Sequence, residues 1–330
     1  MGEDNFELMI NVLKGSEELT EEQRENCFFY NADVLNRDDS FPYVSYLEVT
    51  DRWDNIYIDL FKDNNIKGLS LNNSSSDEEN LGVEIFEKIP VINLLMLKYY
   101  SLDTDFQKLH GFSSLKELEV LHLTESLPRD SIDYSFFNKL RECELYSGSQ
   151  EGSVGLDQGN KTIFSCLDLE KLSIHEYKDN DFSGFETLTR LKYLSLTAKK
   201  LKNINGIDKL YHLEELELIN TKKIEDYSEI GNIQSLRSVT LYGTRGKNMI
   251  ETLSCLTNIE SIILENCGNI QTIQILQNCK KLKILCIYGS TNILDGDLNF
   301  LFDMPSLELV AIEPKKHYSH KSEEILFKRV

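Results

Sequence analysis

Apolar residues recur along most of the chain in one six-residue pattern, L-x-x-L-x-L, in which Ile, Val or Cys replaces some Leu. Copies of this pattern begin at residues 44, 66, 92, 118, 140, 169, 191, 213, 236, 259, 282 and 307. Successive copies lie 22 to 29 residues apart, and the spacing is 22 or 23 residues between the copies at 169 and 282. A ladder of this regularity predicts one structural unit per copy.

Each copy predicts one short β-strand. The last two apolar residues of the pattern lie two apart, so they share one face of an extended chain. One strand cannot bury that face alone, and the copies are therefore expected to stack in parallel around a continuous core. Between copies the apolar residues are three apart, as at Ile204, Ile207 and Leu210. Because three is the period of the 3₁₀ helix, the return segments are predicted to be 3₁₀ or irregular turns.

The repeat resembles that of the leucine-rich repeat family, in its 22-residue class, over about residues 44–312. The resemblance implies an α/β solenoid, a horseshoe with about twelve parallel strands on its concave face and 3₁₀ or irregular convex segments. One position departs from the family, which places Asn or Cys three residues after the third apolar position. Here that position holds, among others, Tyr177, Lys199, Thr221, Thr244, Cys267 and Ser290. Irregular turns are therefore expected, above all in the N-terminal half.

The sequence outside the repeats is predicted to cap the solenoid, because its open ends would otherwise expose a sheet edge and the core. Residues 1–43 are predicted to form an N-terminal helical cap, in which a capping box at Thr20–Gln23 opens a helix through about Phe28. Residues 313–330 are predicted to form a C-terminal cap with a short helix near Ser322. The Gly-rich stretch 147–161 is expected to be a surface loop, and its contact with a partner stays open.

Charge narrows the classes of partner. The chain has 35 Lys and Arg and 55 Asp and Glu, which gives a formal net charge of −20. This charge repels nucleic acid and anionic membrane surfaces and favours a basic protein partner, although solubility alone would also explain it. No secretory signal or membrane-length apolar run is apparent, and the seven cysteines form no CxxC pair. A soluble, cytoplasmic protein is therefore expected.

Catalytic and cofactor signatures are not found. Gly159–Thr162 fails the spacing of a phosphate-binding loop. His317 and His320 are three residues apart, but two histidines without a Cys or carboxylate neighbour indicate a solvated tail rather than a metal site. We therefore predict no enzyme activity, no cofactor, no metal and no small-molecule substrate. Cys143, Cys166, Cys267 and Cys279 are expected to be buried as small apolar residues, whereas Cys286 is predicted on the concave side.

The variable positions of the strands are predicted to form the concave surface, where carboxylates interleave with Tyr and His. The candidate partner-binding residues are Tyr146, His175, Tyr193, Tyr242, Tyr288, Glu142, Glu144, Glu170, Glu176, Glu215, Glu217 and Glu265. Tyr provides contact area at a low entropic cost, and carboxylates attract a basic partner. A solvated sheet face also carries such residues, so this is the alternative explanation.

These features together predict a non-catalytic protein-interaction scaffold that binds a basic protein. The most concrete form is an inhibitor or immunity-type protein that neutralises a basic enzyme or toxin, by analogy with the acidic horseshoe of the ribonuclease inhibitor. The alternative is a regulatory or adaptor subunit of a phosphatase or ligase complex.

Overall fold

The computed structural model describes residues 18–21, 23, 27–30, 46–50, 55–72, 85–98, 112–124, 132–146 and 160–327. The chain divides into two compact units, Met1–Asp168 and Leu169–Val330, and each is described by itself. Most of the predicted Gly-rich loop, residues 147–159, lies outside the described residues.

The described part of the first unit is a stack of strands with short helices between them. Its strands are β1 (Cys27–Tyr30), β2 (Tyr46–Thr50), β3 (Gly68–Asn72), β4 (Leu94–Lys98), β5 (Val120–Thr124) and β6 (Glu142–Tyr146). Strands β2 to β6 pair in parallel in chain order, and β1 pairs with β2 antiparallel. The connections contain α1 (Ile56–Asn64), α2 (Ile85–Lys88) and 3₁₀ turns at Ser113–Leu115, Tyr134–Phe136 and Asn160–Ser165.

The second unit continues the same architecture. Its strands are β7 (Lys171–Ile174), β8 (Tyr193–Thr197), β9 (Glu215–Ile219), β10 (Ser238–Tyr242), β11 (Ser261–Glu265), β12 (Asn269–Ile270), β13 (Ile284–Tyr288), β14 (Asn292–Ile293) and β15 (Leu309–Ile312). The five-residue and four-residue strands pair in parallel, while β12 and β14 form a separate parallel pair. Its α-helices are α3 (Met249–Ser254) and α4 (Ser322–Phe327). Its 3₁₀ turns lie at Phe185–Thr187, Ile207–Lys209, Ser228–Asn232, Gln274–Asn278 and Asn299–Asp303.

The predicted repeat solenoid is confirmed. Each of the twelve copies forms a parallel strand that begins two residues after the start of its pattern. The second and third apolar positions face the core, as Leu216 and Leu218 of β9 do with 0 % exposure, while their neighbours Glu215 and Glu217 point away. The return segments of the second unit are mostly 3₁₀ turns, as the spacing of three predicts.

The N-terminal segment differs from the predicted helix. Thr20 and Gln23 exchange the two hydrogen bonds of a capping box, with Thr20 N donating to Gln23 Oε1 at 2.8 Å and Gln23 N to Thr20 Oγ1 at 3.3 Å. However, a strand begins at Cys27, whose side chain is fully buried, where the helix was expected to continue through Phe28. Strand β1 pairs with the outer edge of β2. Without β1, the backbone N–H and C=O groups at that edge of β2 would be unpaired.

The turns after the strands contain a buried polar ladder that the sequence only partly located. Thr221, Thr244 and Cys267 are buried as expected, and Thr244 Oγ1 lies 3.4 Å from Cys267 Sγ. In the next repeat the turn is one residue longer, so Thr291 takes the buried position and accepts a hydrogen bond from Cys267 N at 3.0 Å. Ser290, which was assigned to the ladder from sequence, is exposed.

In each of these turns the residue that directly follows the strand has a left-handed backbone, and this residue is alternately Asn and Gly. Asn220, Gly243, Asn266 and Gly289 have φ values of 57°, 60°, 55° and 62°. The Asn side chain of one repeat fills the space beside the Gly of the next, since a Cβ on Gly289 would lie 2.4 Å from Asn266 Oδ1. That oxygen accepts a hydrogen bond from Ser290 N at 2.9 Å, so it cannot move freely.

Gly289→Ala is therefore expected to lower the free energy of unfolding by about 3 kcal/mol, from backbone strain and displacement of Asn266. Gly268→Ala is the matched control. Gly268 also has a left-handed backbone, with φ +76°, but a Cβ added there would lie 3.8 Å from the nearest atom, Arg245 Nε. It should cost only about 1 kcal/mol. Urea titration followed by circular dichroism measures both, and adding Asn266→Gly to Gly289→Ala should recover most of the difference. Equal costs for the two alanine variants would contradict the steric explanation.

Candidate protein-binding surface

Side chains that point away from the core form three columns across the strands of the second unit, and we call this surface the open face. The first column is Lys171, Tyr193, Glu215, Ser238, Ser261, Ile284 and Leu309. The second is Ser173, Ser195, Glu217, Thr240, Ile263, Cys286 and Ala311. The third is Thr197, Ile219, Tyr242, Glu265 and Tyr288, with His175 and Glu313, which directly follow β7 and β15, at its two ends. Parallel register places neighbours within a column about 4.8 Å apart.

The open face has an apolar region at its C-terminal end. We call it the apolar patch, and it consists of Ile263, Ile284, Tyr288, Leu309 and Ala311. Its members are partly exposed, and Leu309 is 45 % exposed. The carboxylates of the third column lie along its border. An apolar centre with a polar rim is the usual anatomy of a protein interface.

Two tyrosines of the open face have perturbed hydroxyl groups. Tyr193 OH donates to Glu217 Oε2 at 3.0 Å, and burial, reinforced by the charge of Glu217, raises the pKa of Tyr193 to about 12. Burial likewise raises the pKa of Tyr288 to about 12, with smaller contributions from Cys286 and Glu265. Both side chains therefore keep their protons at neutral pH and remain hydrogen-bond donors.

Charged residues of alternating sign stand one residue before each strand of the second unit except β12 and β14. This charge ladder consists of Glu170, Lys192, Glu214, Arg237, Glu260, Lys283 and Glu308. Glu260 receives hydrogen bonds from Lys283 at 2.5 Å and Arg237 at 2.8 Å, and the bond from Lys283 is the main cause of its lowered pKa. The ladder largely neutralises itself, so these carboxylates contribute little to attracting a partner.

Two of the predicted partner-binding residues consequently lie off the open face. Glu170 belongs to the charge ladder, where Lys192 Nζ lies 2.7 Å from its Oε2. Glu176 follows β7 in a left-handed conformation, with φ 66°, and pairs with Lys199 at 3.4 Å. Glu170 stands one residue before β7 and Glu176 stands two residues after it, so neither belongs to a column of the open face.

The other predicted residues lie on strand faces that point away from the core, except His175, which directly follows β7. His175, Tyr193, Glu215, Glu217, Tyr242, Glu265 and Tyr288 belong to the open face of the second unit. Glu142, Glu144 and Tyr146 lie on the corresponding face of β6 in the first unit. There, His122 Nε2 lies 2.6 Å from Glu142 Oε1 and its Nδ1 lies 3.8 Å from Glu144 Oε2. The two carboxylates thus flank one imidazole ring.

Six of the seven cysteines are buried, Cys255 being exposed, and the two C-terminal histidines make hydrogen-bond contacts. Cys286 takes its predicted place in the second column, but it is only 4 % exposed, in register between Ile263 and Ala311. His317 contacts the Ile293 carbonyl at 2.8 Å, and His320 contacts Glu324 and Asn299. Among the described residues, no three His, Cys, Asp or Glu side chains cluster as a metal site would require. No helix within the described ranges is long and apolar enough to cross a bilayer.

Similarity to known proteins agrees with this architecture. No family model matches the chain. A putative disease resistance protein of Arabidopsis thaliana is 22 % identical over 250 residues, which cover 73 % of this chain and 19 % of the relative. The chain spans about a fifth of the length of the plant relatives that it matches.

Solved structures show the same fold. An internalin (inlF) of Listeria monocytogenes aligns with a TM-score of 0.56 and 19 % identity, covering 89 % of this chain and 76 % of that one. Drosophila Toll, solved in complex with Spatzle, aligns with a TM-score of 0.56 and 13 % identity, covering 84 % and 38 %. The repeats and the strand topology give the chain a leucine-rich repeat fold. Proteins of this class generally act as protein-interaction scaffolds.

Proposed function

We propose that this chain is a non-catalytic scaffold whose open face binds a basic protein, most concretely an enzyme or toxin that it neutralises. The observation that carries the proposal is the composition of the open face in the second unit. There, a partly exposed apolar patch is bordered by carboxylates. Burial of the patch would supply affinity, and the carboxylates would select the partner's charge.

The charge of the open face supports a basic partner. Its three columns contain four carboxylates, Glu215, Glu217, Glu265 and Glu313, and one lysine, Lys171. The bases of the charge ladder are engaged with its own acids, so they do not cancel this excess. A surface of this kind accelerates encounter with a positively charged protein, and the effect falls with ionic strength.

A protein partner also agrees with the structural neighbours, among which Toll was solved in complex with Spatzle. That similarity establishes fold alone, so the partner's class follows from the open face.

Charge reversal tests the proposal. The full-length chain serves as bait, retained proteins are identified by mass spectrometry, and the affinity of a purified candidate is measured by isothermal titration calorimetry. Glu215→Lys with Glu265→Lys should weaken binding by at least about tenfold and flatten its salt dependence, because contact and long-range attraction are both lost.

The matched control is Asp303→Lys with Glu323→Lys, which makes the same charge change at exposed positions outside the open face. It should change the affinity less than about twofold, since distant charges are screened at physiological salt. If the two double variants weaken binding equally, or if the retained protein is acidic, the open face is not a site for a basic partner.

A further inference from the structure

Basic residues concentrate in the turns that follow β8, β9 and β10 of the second unit. We call this surface the basic flank, and its members are Lys199, Lys200, Lys202, Lys222, Lys223, Arg245 and Lys247. All seven side chains are exposed. The chain as a whole has a net charge of −20, so this flank is a local reversal of the overall charge.

The cations of the basic flank are available for an external ligand. Lys199 pairs with Glu176 at 3.4 Å, whereas the other six make no ion pair within the part of the chain that the structure describes. The bases of the charge ladder behave differently, because Lys192, Arg237 and Lys283 each contact a glutamate. Unpaired cations side by side repel one another, and an anion that bridges them relieves this repulsion.

Two carboxylates near these turns, Asp226 and Glu229, are engaged in internal hydrogen bonds, whereas Glu225 is exposed and lines both cavities described below. Asp226 Oδ1 accepts from Ser228 N at 2.8 Å and from Asn248 Nδ2 at 2.6 Å. These bonds, chiefly the one from the Ser228 backbone, lower the pKa of Asp226. Glu229 Oε2 accepts from Gly206 N at 2.7 Å. The hydrogen bonds of Asp226 and Glu229 stabilise the turns, and the lysines remain exposed to solvent.

Two adjoining cavities lie along the basic flank. One has a volume of about 660 Å³ and is lined in part by Lys202, Lys222 and Lys223. The other has a volume of about 1040 Å³ and is lined in part by Arg245 and Lys247. Both cavities include Asp226 in their walls, so they form neighbouring recesses of one surface.

We propose that the basic flank binds an acidic peptide segment of a protein partner. The cavities provide side-chain amides for a peptide backbone, at Asn203 in one and at Asn269 and Gln271 in the other. Leu294, which is 45 % exposed, provides an apolar contact in the larger cavity. The lysines would pair with carboxylates of the ligand, the amides would bind its backbone, and Leu294 would contact an apolar side chain. This combination fits a peptide better than a simple anion.

The extent of the basic flank favours a short ligand. Its cations cross three repeats, and the larger cavity extends to the turns after β11 and β13, so the surface spans about 19 Å at the spacing of parallel strands. That length corresponds to about six residues of extended peptide at about 3.3 Å each. A long nucleic acid strand would run beyond the flank into the field of a chain with net charge −20.

Fluorescence anisotropy of short fluorescein-labelled peptides tests this proposal on the full-length chain. The probe is a peptide of Asp, Glu and Leu, and the reference replaces its acids by Asn and Gln. Salt is held at about 0.1 M, so that charges more than about 10 Å apart are largely screened. The acidic peptide should bind at least about tenfold more tightly than the neutral one. Lys222→Glu, Lys223→Glu and Lys247→Glu combined should remove that advantage.

Lys280→Glu, Lys281→Glu and Lys316→Glu combined are the matched control, since these exposed lysines lie outside the basic flank. This variant should keep the preference for the acidic peptide within about twofold. The proposal is overturned if both triple variants lose the preference equally, which would indicate overall charge alone. It is also overturned if a labelled oligouridylate of similar length, but not the acidic peptide, depends on the basic flank. Because no residue of the open face is changed, the outcome is independent of the proposed function.

Discussion

Replacing Phe185 by Ala is expected to lower the free energy of unfolding by about 4 kcal/mol. Phe185 is fully buried, stacks on Phe182 with ring centroids 4.2 Å apart and meets the edge of Tyr177 at 5.4 Å. These three rings pack together below the turn after β7, where Tyr177 stands in place of the small polar residues of later repeats. Removing one ring leaves a cavity that two rigid neighbours cannot fill.

Unfolding in urea, followed by circular dichroism, measures this effect. Phe185→Leu keeps most of the volume and should cost only about 1.5 kcal/mol. Tyr211→Ala is the control, because Tyr211 is 59 % exposed and its loss should change the stability by less than about 0.5 kcal/mol. Since each repeat contacts only its neighbours, Phe185→Ala should also broaden the transition. Similar midpoints for Phe185→Ala and Tyr211→Ala would show that the aromatic cluster does not support the fold.

Replacing Tyr288 by Ala should weaken binding of the basic partner by about thirtyfold, the effect expected of a central interface anchor. Tyr288 lies in the apolar patch beside Glu265, so its ring offers contact area next to a carboxylate. The proposal of a protein-binding open face makes this side chain the strongest candidate for such an anchor. Isothermal titration calorimetry with the partner recovered in the bait experiment measures the loss.

Two further variants separate the possible causes. Tyr288→Phe retains the ring and should lose less than about fivefold, since it removes one hydroxyl group only. Tyr211→Ala, at an exposed position outside the open face, should leave the affinity unchanged. If Tyr288→Ala leaves the affinity unaltered, the partner contacts another part of the protein. If Tyr288→Phe loses as much affinity as Tyr288→Ala, the effect is due to the hydroxyl group and not to the ring.

The strands could be predicted from sequence because their signal is local. A pair of apolar residues two apart decides both the strand and the face that is buried, as Leu216 and Leu218 illustrate. The 3₁₀ returns follow from the spacing of three for the same reason. The turns were less predictable, because one added residue moves the buried position from Ser290 to Thr291 without changing the apolar pattern.

The candidate surface was only partly predictable, because neighbours across the strands decide what a charge does. Glu170 and Glu215 look alike in sequence, yet Glu170 stands before its strand and meets Lys192, while Glu215 points from the open face. The alternating signs are visible in the second position of the patterns of the second unit once these copies are aligned. The apolar patch is visible in the same way, but only a stack of repeats brings Ile284 beside Leu309.

Between the copies at 213 and 282, the charge ladder and the Asn–Gly alternation share a period of two repeats, or 46 residues. The copies at 213 and 259 carry Glu and Asn, as in Glu214 and Asn220, and the copies at 236 and 282 carry a base and Gly. Deleting one copy would set like charges and like side chains against each other, whereas deleting an adjacent pair would preserve both pairings. The building block of this region is therefore a double repeat, and the array can be shortened or lengthened cleanly only by even numbers.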